Sequence, residues 1–152
     1  MSESLLILRI TKWSKTYNSY SCIGSQKNFQ QLISLVLSCV NPPASAVRSI
    51  ASALRNMPSG SEVVLHVDPS DPQSVQQFRA LQTKGLNLVL SSEKVGFAEG
   101  LNMAIRQARH ELIARLDVED YSYPWRWPHQ ISKMKTVDFH FGGLAHKITK
   151  WP

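Results

Sequence analysis

The stretch of sequence that decides the fold is GFAEGLNMAIRQARHELIARLDVEDYSYPWRWPHQ, residues 96–130. Its apolar residues recur at helical spacing over residues 97–109, and the short apolar run 112–116 then favours a strand. This run leads into three acids within four positions, Asp117, Glu119 and Asp120. Acids crowded at the end of a strand repel one another, and a bound cation commonly relieves that repulsion. The segment therefore predicts a metal-assisted site for a phosphorylated ligand.

The same alternation of strands and helices extends outward from this stretch. The predicted strands cover residues 32–37, 63–67, 86–90, 112–116 and 137–141; the predicted helices cover residues 44–57, 74–83 and 97–109, with one more that has Pro124 in its first turn. This order predicts an α/β fold, a three-layer sandwich with an open, mostly parallel sheet of the Rossmann-like type. Residues 1–31 are interpreted as an N-terminal extension, in which residues 5–8 favour a strand, and residues 32–152 as a single domain.

Polar residues follow three of the predicted strands. Asn41 comes after the first of these strands, Asp68 after the second and Asp117 after the fourth. Right-handed crossovers place the carboxyl ends of parallel strands on one edge of a sheet, and ligands bind outside that edge. The positions of these residues therefore predict a binding site there.

The composition is that of a soluble globular protein with a basic surface. The chain has 152 residues, 43% of them hydrophobic, and its 17 Lys and Arg against 11 Asp and Glu give a net charge of +6. A basic balance suits anionic partners, although the scattered charges favour an ordinary solvated surface. Cys22 and Cys39 form no CxxC pair, and no apolar run is long enough to span a bilayer. We expect a cytoplasmic protein, with peripheral membrane association left open.

Each candidate segment also has a plain structural interpretation. Asp117 and Glu119 can bind Mg²⁺ or Mn²⁺, or they can form an acidic loop before a helix. Asp68 can accept a hydrogen bond from a base or ribose, or it can belong to a turn. Residues 96–102 lack the GxGxxG spacing of a dinucleotide site, and they admit either a close ligand or a simple connection into a helix.

The cluster of Tyr121, Tyr123, Trp125, Arg126 and Trp127 is dense in aromatic and basic residues. Aromatic rings beside arginine can stack on nucleic-acid bases. Packing of a helix onto the sheet is the favoured role for Trp125 or Trp127. A nucleic-acid-binding domain built on this cluster ranks last among the hypotheses, because three neighbouring acids would repel phosphate.

Taken together, these segments resemble the family 2 glycosyltransferases of the GT-A fold. The resemblance covers residues 32–143 and is most specific over residues 96–130. The matching motifs are GFAEGLN at 96–102, IARLD at 113–117, the Asp-x-Glu-Asp sequence at 117–120, and Pro124, Arg126 and Gln130 in the following segment. A weaker match includes VLSCVN at 36–41 and VDPSD at 67–71.

The resemblance implies a domain that binds a nucleotide-diphosphate sugar with Mg²⁺ or Mn²⁺ and transfers the sugar to an acceptor hydroxyl. It implies that Asp68 contacts the base and that Asn41, Asn102 and Arg115 support the nucleotide. Asp117 would lie on the ribose or phosphate side and, with Glu119, would bind the metal.

The sequence departs from the family pattern in ways that leave an alternative open. Glu119 stands where the family usually has a second Asp, and no residue of this chain is assigned as the catalytic base. The alternative is a non-catalytic nucleotide-sugar-binding module, or one half of a split enzyme. The identity of the acceptor, self-association and a partner chain stay open.

Overall fold

Strands and helices alternate through the part of the chain that the structure, a computed structural model, describes: residues 5–9, 31–68, 72–82, 84–134 and 139–142. The strands are β1 (Leu5–Arg9), β2 (Ile33–Cys39), β3 (Glu62–Val67), β4 (Leu86–Leu90), β5 (Leu112–Arg115) and β6 (Phe139–Gly142). The helices are α1 (Ser45–Asn56), α2 (Pro72–Gln76), α3 (Arg79–Gln82), α4 (Phe97–Gln107) and α5 (Arg126–Lys133). Most boundaries lie within two residues of those predicted from the sequence.

The described strands form one six-stranded sheet in the order β4-β3-β2-β5-β1-β6. β2 pairs parallel with both β3 and β5, and β3 pairs parallel with β4. β1 pairs antiparallel with β5 and with β6, so it is the one reversed strand among those described. The prediction of an open, mostly parallel sheet is therefore confirmed.

Helices cover the two faces of the sheet, which confirms the three-layer architecture. The larger apolar cluster joins Leu35 of β2 and Leu65 of β3 to Ile50 of α1, Phe78 and Trp127. The smaller cluster lies on the opposite face and packs α4 onto β2, β3 and β5; its buried members are Val36, Val64, Ala104 and Ile113. Because β2 and β3 are buried on both faces, their sequences are nearly continuous apolar runs.

Two helical predictions need correction. The single helix predicted over residues 74–83 is two short helices, α2 and α3, with residues 77–78 in a turn between them. Pro124 does not lie in the first turn of a helix, because α5 begins at Arg126. Pro128 is in the first turn instead. Backbone N–H groups of the first turn have no acceptor within the helix, so the missing N–H of Pro128 costs no helical hydrogen bond.

Part of the segment interpreted as an N-terminal extension belongs to the sheet. β1 lies between β5 and β6, so the strand favoured at residues 5–8 is present. The domain boundary at residue 31 stays a prediction. None of the helices in the described ranges is long and apolar enough to cross a bilayer.

The order of the strands creates a switch point between β2 and β5. From β2 the chain moves outward through β3 to β4, and then it returns past β2 to form β5 on the other side. α1 and α4 lie on opposite faces because these two movements run in opposite directions. A crevice opens outside the carboxyl ends of the strands at such a point, and it is the usual ligand site of open α/β sheets.

Candidate functional site

Asn41 and Asp117 follow the two strands that flank the switch point. The parallel register sets Val36 of β2 beside Arg115 of β5, so Asp117 lies level with the end of β2. Asn41 is exposed and has a φ of 49°, a left-handed conformation that Asn tolerates better than most residues. Its backbone turns the chain from β2 towards α1, and its predicted contact with a nucleotide stays a prediction.

The acids after β5 form a tight turn at the sheet edge. The Asp120 N–H donates to the Asp117 carbonyl oxygen at 3.0 Å, which closes the turn. Nη2 of Arg115 donates to Oδ1 of Asp117 at 2.7 Å, and 27% of the Asp117 side chain is exposed. Arg115 therefore orients a carboxylate that still faces solvent, and its guanidinium also lies 5.2 Å from the ring centre of Phe97 in α4.

The positively charged side chain of Arg126 is buried behind this turn. The Arg126 side chain donates through Nη2 to the Arg115 carbonyl oxygen at 2.8 Å and through Nε to Oε1 of Gln130 at 2.9 Å. Burial lowers the pKa of Arg126 to about 10, which leaves it charged at neutral pH. Burial, followed by the charge of Asp117, raises the pKa of Asp120, while Arg126 opposes that shift. The turn is thus crowded with negative charge that a cation would relieve.

One side of α1 holds the acidic turn in place. Ser49 donates through Oγ to the carbonyl oxygens of Asp117, at 3.4 Å, and of Asp120. Ser52 accepts the N–H of Ser122 at 3.0 Å. Asn56 donates to the carbonyl oxygen of Ser122 at 2.6 Å. The three α1 side chains are spaced by three and four residues, which puts them on one side of the helix. This clamp was not predicted from the sequence, although polar residues at helical spacing beside an apolar stripe were a signal for it.

Asp68 is fully buried, and its carboxylate holds a loop. Its Oδ2 accepts the backbone N–H groups of Val95 and Gly96 at 2.8 and 2.7 Å. Ser91 also lies within hydrogen-bond distance of Oδ1, at 3.5 Å. The carboxylate thereby fixes the entrance to α4. Its predicted contact with a nucleotide base stays a prediction.

A buried histidine connects the ends of three strands beneath α4. His66 Nδ1 lies 3.1 Å from Ser38 Oγ in β2, and its Nε2 lies 3.2 Å from Ser91 Oγ after β4. Burial lowers the pKa of His66, while the charges of Asp68 and Glu99 oppose that shift. A polar residue within the apolar run of β3 was the only sequence signal for this network.

Asn102 forms a hydrogen bond within its own helix. It is exposed on α4 and donates to Oε2 of Glu99 at 3.3 Å. Glu99 also forms an ion pair with Arg106 on the same helix. The structure brings Arg115 and Asp117 into direct contact, whereas the Asn102 side chain donates to Glu99 of its own helix. Asp71, the last residue of the VDPSD segment, lies outside the described residues.

The carboxylates of the acidic turn suit a cation that takes some of its ligands from the protein and the others from a substrate. Among the described residues, no group of three or more His, Cys, Asp or Glu side chains is arranged to hold a metal ion. Asp117 is partly exposed and Glu119 is exposed, and they are neighbours in one turn. Mg²⁺ commonly takes one or two carboxylates together with substrate phosphates and water, so this pair suits such a shared site.

The two tryptophans of the aromatic cluster have different roles. Trp127 is fully buried in the larger apolar cluster, as the packing interpretation predicted. Trp125 is 63% exposed and stacks on Tyr123 at 4.5 Å between ring centres.

Two cavities of about 290 and 190 Å³ lie around Arg109 and His110, at the opposite edge of the sheet from the acidic turn.

The sheet order and the acidic turn at its switch point define an α/β domain of the GT-A type. Comparison with known sequences then identifies its family. The model of glycosyl transferase family 2 matches residues 34–147, and the chain belongs to this family.

One similar protein is the succinoglycan biosynthesis protein ExoU of Rhizobium meliloti. The two sequences are 34% identical over 96 residues, which is 62% of this chain and 28% of ExoU. The match therefore covers less than a third of the length of this relative.

Similar solved structures support the fold. TarS of S. aureus, residues 1–349, matches with a TM-score of 0.62 and 20% identity over 69% of this chain and 32% of that one. The same TarS fragment, in complex with UDP-GlcNAc, gives the same TM-score of 0.62. The mannosyltransferase PcManGT from Pyrobaculum calidifontis, in complex with GDP-Man and Mn²⁺, matches with a TM-score of 0.50 and 22% identity over 60% of this chain and 28% of that one.

Proposed function

We propose that this domain binds a nucleoside-diphosphate sugar together with Mg²⁺ or Mn²⁺ and transfers the sugar to an acceptor hydroxyl. The observation that carries the proposal is the Asp117 carboxylate, which follows β5 at the switch point, is held by Arg115 and remains partly exposed. Membership of glycosyl transferase family 2 supports the same conclusion. TarS in complex with UDP-GlcNAc and PcManGT in complex with GDP-Man and Mn²⁺ support this class of donor and cofactor.

Asp117 and Glu119 are the residues proposed to hold the cation. A divalent ion there would neutralise charge on the diphosphate as it leaves the sugar. Arg115 keeps the Asp117 carboxylate oriented through the ion pair at 2.7 Å, and α1 holds the backbone of the turn through Ser49. The protein thus holds the Asp117 carboxylate in a fixed position, and catalysis that depends on orienting the reacting groups requires such fixed positions.

The residues proposed to contact the nucleotide differ in what their side chains bind in this structure. Arg115 touches Asp117 directly, and Asn41 lies at the same edge of the sheet. Asp68 acts through the backbone of Val95 and Gly96 unless a ligand displaces those hydrogen bonds. Asn102 would need to turn from Glu99 to reach a nucleotide. The proposed site is therefore centred on Arg115 and Asp117.

Calorimetric titration with UDP-GlcNAc and with GDP-mannose, each with and without Mn²⁺, tests binding. We expect saturable binding that requires Mn²⁺, is lost in Asp117→Asn and is weakened in Glu119→Gln. Glu111→Gln is the matched control, because Glu111 is an exposed acid just before β5, at the opposite edge of the sheet from Asp117. Failure of both donors to bind would contradict the proposal.

Release of UDP or GDP separates transfer from binding alone. An active transferase releases the nucleoside diphosphate when an acceptor is supplied, or slowly by hydrolysis without one. Metal-dependent donor binding with no release under either condition would favour the alternative of a binding module or one half of a split enzyme.

A further inference from the structure

The aromatic platform, defined as Tyr121, Tyr123 and Trp125, has no role in the proposed donor site. The ring centres of Tyr121 and Tyr123 are 5.0 Å apart in an edge-to-face arrangement. Those of Tyr123 and Trp125 are 4.5 Å apart, and their planes differ by 18°. Trp125 is 63% exposed although Tyr123 covers one face of its ring, so its second face is open to solvent.

The platform is held in place by the backbone between its rings. Ser122 is fully buried, and both its N–H and its carbonyl oxygen are bound by side chains of α1, those of Ser52 and Asn56. With Ser122 directed inward, Tyr121 and Tyr123 on either side of it project away from the core. The rings are therefore preorganised, and a ligand would not need to order them on binding.

Arginine side chains border the same rings. The guanidinium of Arg48 lies 5.9 Å from the centre of the Tyr121 ring, and Nη2 of Arg55 lies 3.5 Å from the Tyr121 hydroxyl. Aromatic faces offer apolar surface, and arginine offers several N–H donors around them. A sugar ring presents the matching chemistry, because its C–H groups form apolar faces and its hydroxyls form a polar rim.

The surroundings favour a neutral ligand over a polyanion. Asp117, Glu119 and Asp120 immediately precede the platform, and their charges would repel a phosphate backbone. The platform begins directly after the acidic turn, because Tyr121 follows Asp120 in the chain. An oligosaccharide bound at the turn can therefore extend onto Tyr123 and Trp125, which lie three and five residues beyond Asp120.

We propose that the aromatic platform is a saccharide-binding subsite that stacks on sugar rings of an oligosaccharide. We assign this oligosaccharide as the acceptor, and that assignment rests on the proposed function. Its reacting end then lies at the acidic turn, and rings further along the chain lie on Tyr123 and Trp125.

Saturation-transfer difference NMR with cellohexaose, maltohexaose and chitohexaose tests the subsite on the full chain. We expect weak, saturable binding of at least one of the three, and binding weakened on the order of fivefold in Trp125→Ala and in Tyr123→Ala. Trp125→Phe keeps an aromatic ring and should retain most of the affinity. Leu90→Ala, which truncates another exposed apolar side chain, should change nothing.

Absence of binding by all three sugars would overturn the inference, and so would equal binding by Trp125→Ala. The NMR signal of the Trp125 indole gives a third test: a shift with oligothymidylate or phosphatidylglycerol vesicles and with none of the sugars would also overturn it. Circular dichroism of each variant establishes that it is folded. Titration of the original protein and of the same variants with UDP-GlcNAc and with GDP-mannose, each in the presence of Mn²⁺, separates the two proposals. Oligosaccharide binding without donor binding would remove the proposed function and keep the subsite, whereas donor binding without sugar binding would do the reverse.

Discussion

Gly100 of α4 lies so close to His66 of β3 that a Cβ atom on residue 100 would fall 2.3 Å from the imidazole Nδ1. The same Cβ would also fall 2.3 Å from Ser38 Oγ. His66 cannot easily move, because it is fully buried and hydrogen-bonded on both sides. The absence of a side chain at residue 100 thus lets α4 pack over a polar network between the strand ends.

Gly100→Ala is therefore expected to destabilise the fold by about 1–3 kcal/mol, the usual range for overpacking a core. Helix propensity alone predicts the opposite sign, since Ala is favoured over Gly by about 1 kcal/mol within a helix. Urea unfolding of the two proteins measures the difference. A Gly100→Ala protein as stable as the original would show that α4 does not approach His66 as described. If the clash is the cause, His66→Ala should reduce the effect of Gly100→Ala in the double variant.

The stability of the fold is expected to fall as the pH drops below about 6.5. Burial lowers the folded-state pKa of His66 below its ordinary value of 6.5, so the unfolded chain takes up a proton before the folded chain does. Stability then rises with pH across the interval between the two pKa values and is lost as pH falls through it.

Urea unfolding at several pH values, together with an NMR titration of His66, measures this effect. A folded-state pKa at or above 6.5 would contradict the expected direction. The acid sensitivity should be smaller in His66→Gln, which keeps polar atoms at the position and cannot gain a charge.

Ser52→Ala should destabilise the protein by about 1–3 kcal/mol, because it leaves the buried N–H of Ser122 without its acceptor. Ser45→Ala is the matched control on the same helix, since Ser45 is exposed, and it should have little effect. Denaturant unfolding of the two variants gives the comparison. Equal stabilities would argue against a clamp between α1 and the segment that follows the acidic turn.

Asp68→Asn should loosen the entrance to α4. The Asp68 Oδ2 atom accepts two backbone N–H groups, and the uncharged oxygen of an amide accepts such groups more weakly than a carboxylate oxygen does. We expect a loss of about 1–3 kcal/mol in stability and faster hydrogen exchange at Val95 and Gly96. Glu93→Gln neutralises an exposed acid nearby and should leave both amides protected. Unchanged exchange in Asp68→Asn would assign the protection of these amides to other contacts.

Local sequence patterns were sufficient for the elements and for the acidic turn. The apolar runs of β2 and β3 identify strands buried on both faces, and the spacing of apolar residues identifies α1 and α4. Asp117 and Glu119 could be selected as candidates because charge crowding at a strand end is visible in the sequence. These signals involve residues that are close along the chain, so they need no knowledge of packing.

The positions of individual side chains were much less predictable. Trp125 and Trp127 are two residues apart at the start of one helix, and packing buries one while it exposes the other. Asp68 was selected for its place after a strand, yet its carboxylate is occupied by backbone N–H groups from residues 95 and 96. Such outcomes depend on contacts between distant parts of the chain.

By itself, the sequence determined the order of strands and helices, the parallel α/β class and the acidic end of β5. Only the tertiary structure decided that β5 pairs beside β2 instead of beside β4. That pairing joins residues almost eighty positions apart, such as Val36 and Arg115, and therefore depends on the helices packed on both faces. It creates the switch point where Asn41 and Asp117 lie, and with it the site at which the donor is proposed to bind.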